Sequence, residues 1–318
     1  MKRLLILFVV IAVHFSVNAI QLPQVSHFMY DHLRTNPGSA GSMDMVCLNG
    51  IIRQQMVGFP GNPETYLFNA EAPFSLFGLK QGAGLSVYQD ALGFNKDINL
   101  SITYAIRFNI GDGTLGVGIQ AGMIDNTIEG FNWVTSDGSS VDDRFIPQGD
   151  PEDMSLTLGA GIFYRTEDIY FGISSLNLNN PEVTTISTTG STNNEVKYNL
   201  KRQYYVTAGY NMQLSNPAWE LKPAVLLKSD GIETDMDLNI TCLYNKKIWG
   251  GVTYRTGEAV VGMIGLELFE GFKVGYSYDV QTSALMNHTQ GSHEFVLNYC
   301  FKIGVEKAPQ KYKSIRYL

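Results

Sequence analysis

The chain has 318 residues, of which 44% are hydrophobic and only 17% charged, with 32 Gly, 17 Tyr, 17 Phe and a formal charge of −7. That acidic balance, without any Lys/Arg-rich groove pattern, argues against nucleic acid as a partner. Three cysteines, Cys47, Cys242 and Cys300, are an odd number spread far apart; they exclude a small-domain disulfide framework and read as buried or lipid-facing thiols.

At the N-terminus Lys2 and Arg3 precede the apolar run Leu4 to Val13, and Val17-Asn18-Ala19 supplies small residues at a cleavage site. Residues 1–19 therefore read as a secretory signal peptide. The run is shorter than the roughly 20 residues a spanning helix needs, and no later stretch reaches that length, so a helical membrane protein is excluded. Residues 20–42 are too irregular for a wall strand yet rich in aromatics, and are expected to form an N-terminal periplasmic or plug segment. Its His27 and His32 lack nearby Cys and read as part of a solvated segment rather than a metal site.

From there to residue 304 the decisive signal is period-2 alternation, which places successive side chains on opposite faces of a strand. Ile98, Leu100, Ile102, Tyr104, Ile106 and Phe108 alternate with Asn99, Ser101, Thr103, Ala105, Arg107 and Asn109. Leu115, Val117, Ile119 and Ala121 alternate with Gly116, Gly118, Gln120 and Gly122, a small-residue face suited to a crowded or curved wall. Phe295, Leu297, Tyr299 and Phe301 near the end repeat the pattern against Glu294, Val296, Asn298 and Cys300. Many segments run to about 10 residues or more, the length of a tilted membrane strand and beyond the roughly 5 to 6 of soluble sandwiches. Lipid-facing and lumen-facing residues then average to the near-neutral hydropathy of the whole chain. The expected fold is an all-β, transmembrane antiparallel up-and-down β-barrel of about 14 strands, occupying residues 43–304 in the outer membrane.

If both ends of the mature chain are periplasmic, the short turns such as Gly111-Asp112, Thr166-Glu167 and Ser215-Asn216-Pro217 face inward. The long connections near 126–151 and 177–198 and the loop at His288 face outward, with Thr256-Gly257 as the short exception. Residues 305–318 form a basic periplasmic tail whose Lys307, Lys311, Lys313 and Arg316 are candidate contacts for a periplasmic partner.

The lumen face offers Arg107, Arg165, Asp237, Lys273, Asp279 and Glu294, charges tolerated where they meet water or one another. Pairing within the barrel is the expectation for them, ahead of substrate selectivity. A barrel this wide holds either an open channel or a plug. No catalytic site, cofactor or metal is expected: adjacent Ser292 and His293 point to opposite faces of a strand and cannot pair, and Gly111-Asp112-Gly113 is a hairpin turn rather than a phosphate loop.

Several stretches together resemble one family over nearly the whole mature chain. They begin with Gln21-Leu22-Pro23-Gln24-Val25-Ser26-His27-Phe28-Met29, Asn36-Pro37-Gly38-Ser39-Ala40-Gly41-Ser42 and Arg53-Gln54-Gln55 followed by Gly58-Phe59-Pro60-Gly61. Tyr254-Arg255-Thr256-Gly257-Glu258, Gly275-Tyr276-Ser277-Tyr278-Asp279, Ser292-His293-Glu294 and Arg316-Tyr317-Leu318 follow in order. This pattern resembles the PorP/SprF family of the type IX secretion system, departing from it at Asp31-His32-Leu33, where the family has Asn-Pro-Leu, and at Ser39, where an aromatic is typical. The resemblance implies a non-enzymatic outer-membrane component that supports export or surface anchoring of large surface proteins, in some members gliding adhesins. It implies as partners periplasmic ring and lipoprotein components, a large secreted surface protein and outer-membrane lipid. Barrel physics alone leaves a second reading, a passive porin or hydrophobic-solute transporter.

Overall fold

A computed structural model describes residues 24–128, 152–189, 192–282, 286 and 289–302. The first barrel strands are β1 (Val46–Gln54), β2 (Glu64–Leu76), β3 (Leu79–Leu92), β4 (Asn95–Ile110) and β5 (Gly113–Ile128). They are followed by β6 (Glu152–Arg165), β7 (Ile169–Leu176), β10 (Gln203–Tyr210), β12 (Trp219–Ser229) and β13 (Thr234–Tyr244). β14 (Ile248–Arg255), β15 (Ala259–Phe269), β16 (Phe272–Gln281) and β17 (Ser292–Phe301) complete the wall. Each pairs antiparallel with the next, β10 bridges β7 and β12, and β17 returns to β1, so fourteen strands close into a ring. A separate hairpin of β8 (Glu182–Thr189) and β9 (Thr192–Asn199) stands in the connection between β7 and β10, and the short β11 (Met212–Gln213) pairs with β12 beside Asn211.

The alternation has its physical cause in the two faces of this wall. On β4, Ile102 is 64% exposed while Thr103 is 4% exposed, and the contrast repeats along the strand. The apolar face points out, toward lipid, and the polar face points in; among the described residues no helix is long and apolar enough to cross a membrane.

β1 starts and β17 stops at one end of the barrel, called here the terminal end. Its connections are short: Phe77 and Gly78, both at positive φ (54° and 77°), make the tight β2–β3 turn, which needs left-handed backbone at both central positions. The opposite, long-loop end carries residues 55–63, 177–189, 192–202, 282 and 289–291; the connection at 129–151 lies outside the described residues. Thr256-Gly257 is not a lone short exception there, since Gly93-Phe94 and residues 230–233 are short connections too.

One expectation is overturned. Cys47 and Cys300 form a disulfide, because ring closure sets the first strand beside the last with these two residues in register, Cα atoms 4.1 Å apart; Cys242 alone stays a free thiol. The N-terminal segment does not begin at the terminal end. Gln24 Nε2 donates to Glu258 Oε2 (2.7 Å) in the β14–β15 connection at the long-loop end, and Asp44 meets Arg107 near the terminal end, so residues 24–45 run the length of the lumen before β1 turns back.

Candidate functional site, a lumen filled by its own N-terminal segment

The threaded segment has little regular structure: a 3-10 turn at Phe28–Tyr30, one helical turn α1 (His32–Thr35) and a 3-10 turn at Pro37–Ser39. Its backbone groups must therefore be satisfied by the wall. At the long-loop end Glu294 accepts the backbone N–H groups of Ser26 and His27 (2.7 and 2.8 Å) and also contacts His27 Nδ1 (2.6 Å). The remaining charges close around this contact. Arg53 reaches Asp279 (2.6 Å) and Glu294 (3.2 Å), Arg255 reaches Asp237 (3.0 Å) and Asp279 (3.2 Å), and Lys228 reaches Asp237 (3.1 Å). Arg53, Arg255, Asp237, Asp279, Glu294 and His27 are all fully buried. Isolated, each charge would be very costly there; together they are mutually compensated and fix the register of the segment.

Midway along the wall the segment is seated by shape. A Cβ on Gly82, Gly116, Gly118 or Gly161 would collide with Ala40, Gly38, Pro37 or Asn36 respectively, and one on Gly84 would lie 2.6 Å from Leu33. The small-residue face of β5 is thus a groove for another backbone, a close approach that only glycine permits. Asn36 anchors the seat: its backbone is extended, as a residue before proline prefers, its Oδ1 accepts Gly38 N–H (2.9 Å), and its Nδ2 donates to the Ile162 carbonyl (3.0 Å). Apolar side chains fill what is left: Val25 packs on Ile51, Leu67 and Val296, and Phe28 on Tyr205 and Leu226. Asp31 is fully buried, pairs with Arg34 and accepts from Asn69.

Of the six lumen charges expected from sequence, Asp237, Asp279 and Glu294 meet in the buried knot, and Arg107 pairs with Asp44 (2.7 Å). Arg165 and Lys273 join neither; they line a chamber of about 650 Å³ between the segment and the terminal end, where it reaches Gly271 and Lys302. Sequence reasoning missed Arg53, Arg255 and Lys228 as partners, although strand parity places them inside: Tyr254 is outward and its neighbour Arg255 therefore inward. His27 and His32 do not sit in a freely solvated segment. His27 is fully buried against Glu294, and His32 is half-buried on the chamber lining, against Phe163 and Tyr170 (centroids 5.4 and 4.7 Å). Ser292 and His293 do diverge: Ser292 accepts the Met56 N–H inside, while His293 meets the Tyr276 hydroxyl outside (2.7 Å). Lys307, Lys311, Lys313 and Arg316 lie outside the described residues.

An apolar outer belt around a closed antiparallel wall with a polar, occupied interior defines an integral outer-membrane β-barrel. The fold is similar to the toluene transporter TbuX of Ralstonia pickettii, at 10% identity over 86% of this chain and 94% of that one, with a TM-score of 0.51. The CymD monoaromatic hydrocarbon channel also matches (9% identity, 86% and 93% covered, TM-score 0.48). So does the translocator domain of the autotransporter NalP from Neisseria meningitidis (12% identity, 87% and 96% covered, TM-score 0.44). A search of curated proteins returns no match. The family model of the type IX secretion system membrane protein PorP/SprF matches residues 17–299, and the chain belongs to that family. It is a multi-pass outer-membrane component of that system, which implies contact with other parts of the machinery, and neither its family nor its fold is that of an enzyme class.

Proposed function

We propose that this barrel is a plugged docking component rather than a conduit: it supports export or surface anchoring of a large surface protein, such as an adhesin used in gliding. The observation that carries this reading is the lumen itself. Residues 24–45 fill it, held by a buried charge knot at one end and a glycine seat farther along, so a passive porin or hydrophobic-solute path through the centre is disfavoured. In this reading the terminal end faces the periplasm, where ring and lipoprotein components dock, and the long loops with the β8–β9 hairpin face the exported protein. The basic tail, with Lys307, Lys311, Lys313 and Arg316, adds attraction for an acidic periplasmic surface.

The test is affinity purification from outer membranes with identification of bound proteins, beside conductance in planar bilayers. Recovery of secretion components or a large surface protein, with little conductance, is expected; free conduction without any such partner would sink the reading. Repeating the purification with the chain truncated after Val305 should reduce recovery of periplasmic partners, and full recovery removes the tail from the docking surface.

A further inference from the structure

Closing the ring poses a register problem that a hairpin does not. No turn joins β1 to β17: Cys47 and Cys300 are 253 residues apart, and the pairs from Val46↔Phe301 to Gln54↔His293 must settle on one alignment. The alternation of the two strands excludes a slip of one residue, which would turn lipid-facing side chains inward, but it is blind to a slip of two. In the ring Leu48, Gly50 and Ile52 lie opposite Tyr299, Leu297 and Phe295. Slipped by two, they would lie opposite Leu297, Phe295 and His293, and every side chain would keep its face.

What separates the two alignments lies inside. Arg53 is opposite Glu294 and reaches it (3.2 Å); slipped, it would be opposite Ser292, and Glu294 would be opposite apolar Ile51. The threaded segment reads the same position. Glu294 accepts the N–H groups of Ser26 and His27, while Ser26 Oγ accepts from Arg53 (2.8 Å) and donates to Asp279 (3.1 Å). One residue of the segment thus touches β1, β16 and β17 together. Farther along, the segment is fixed to strands away from the seam: Ser174 Oγ on β7 donates to the Thr35 carbonyl, Asn36 Nδ2 donates to the Ile162 carbonyl on β6, and Pro37 and Gly38 lie on the glycines of β5. That seat sets the height at which Ser26 meets the seam.

We infer that residues 24–45 are an internal template for ring closure. Seated on β5–β7, the segment presents Ser26 and His27 to the last strand, and the docking of Glu294 on them selects the alignment in which β17 meets β1. The disulfide locks that choice rather than making it, since it forms only between cysteines already opposite one another. In the slipped ring Cys47 would face Asn298, which has the same lumen-side parity as Cys300. The inference does not depend on the docking role proposed above.

Two reporter chains test it, both carrying Cys242→Ser. One keeps Cys47 and Cys300; the other carries Cys300→Ser and Asn298→Cys, so that its disulfide marks the slipped alignment. Each mature chain is refolded, reduced, from urea into phosphatidylcholine vesicles and then oxidised with glutathione disulfide, which takes the two electrons and two protons of the thiol pair and leaves as two glutathione molecules. Alkylation and non-reducing electrophoresis give the bonded fraction of the folded, heat-modifiable band. With the segment intact, the native reporter is expected to bond and the slip reporter to stay reduced. Deleting residues 24–42 should raise the slipped-to-native ratio at least about fivefold, as loss of hydrogen bonds to a buried carboxylate implies. Ser26→Pro, which removes the N–H and hydroxyl met by Glu294 and Arg53, and Gly118→Val, which unseats the segment, should raise it too. Gly262→Val, on the outer face, should not. An equal ratio with and without the segment, or an equal rise in Gly262→Val, overturns the inference. If the deleted chain gives no folded band, the two point variants carry the test, and an unchanged ratio in both overturns it as well.

Discussion

The threaded segment is held in two chemically opposite ways. Around Ser26 and His27 the wall supplies full charges, and every one depends on the identity of its partner: Arg255 without Asp237 and Asp279 would be a buried, uncompensated cation. Around Pro37 to Ala40 the wall supplies an absence of side chains, and backbone lies on backbone. The first arrangement sets register and direction, since only one pairing satisfies the charges. The second sets distance and is indifferent to charge, salt and pH.

The comparison is most severely tested by removing what both regions hold. Deleting residues 24–42 should convert a nearly silent barrel into one with porin-like steps in planar bilayers, and unchanged conductance would show that the segment is no plug. Next in size, Arg255→Met should cost about 3–5 kcal/mol, because Asp237 and Asp279 each lose one of two buried cationic partners and the knot is left one positive charge short; the urea midpoint of the detergent-solubilised barrel reads this. Gly118→Val should cost about 1–3 kcal/mol by overpacking, whereas Gly262→Val, where a Cβ meets nothing within 4 Å, should be close to neutral. If those two glycines respond alike, the seat is not a seat.

The wall was legible because lipid and lumen impose a strict period of two, and the fourteen segments read from alternation correspond to the fourteen strands of the ring. The β8–β9 hairpin was not, since it belongs to neither face of the wall and its Thr- and Asn-rich sequence carries no apolar alternation. The glycine face of β5 was visible as a crowded surface, but not what crowds it, because nothing local in Asn36-Pro37-Gly38 announces a seat 80 residues away. The knot was half legible: Asp237, Asp279 and Glu294 have inward parity, while His27 sits in an irregular segment where parity has no meaning. The disulfide required combining closure with register, since Cys47 and Cys300 are 253 residues apart in sequence and neighbours only once the last strand finds the first.

That covalent link also defines a path for mechanical tension. A pull on the chain beyond Lys302 reaches Cys300 at once and crosses to Cys47, which lies one residue into β1 and directly after the threaded segment. Force applied at the terminal end is thereby delivered to the base of that segment without unzipping a single strand pair, so load from a machine pulling there would be borne by one covalent bond and the beginning of β1, while the rest of the wall stays relaxed.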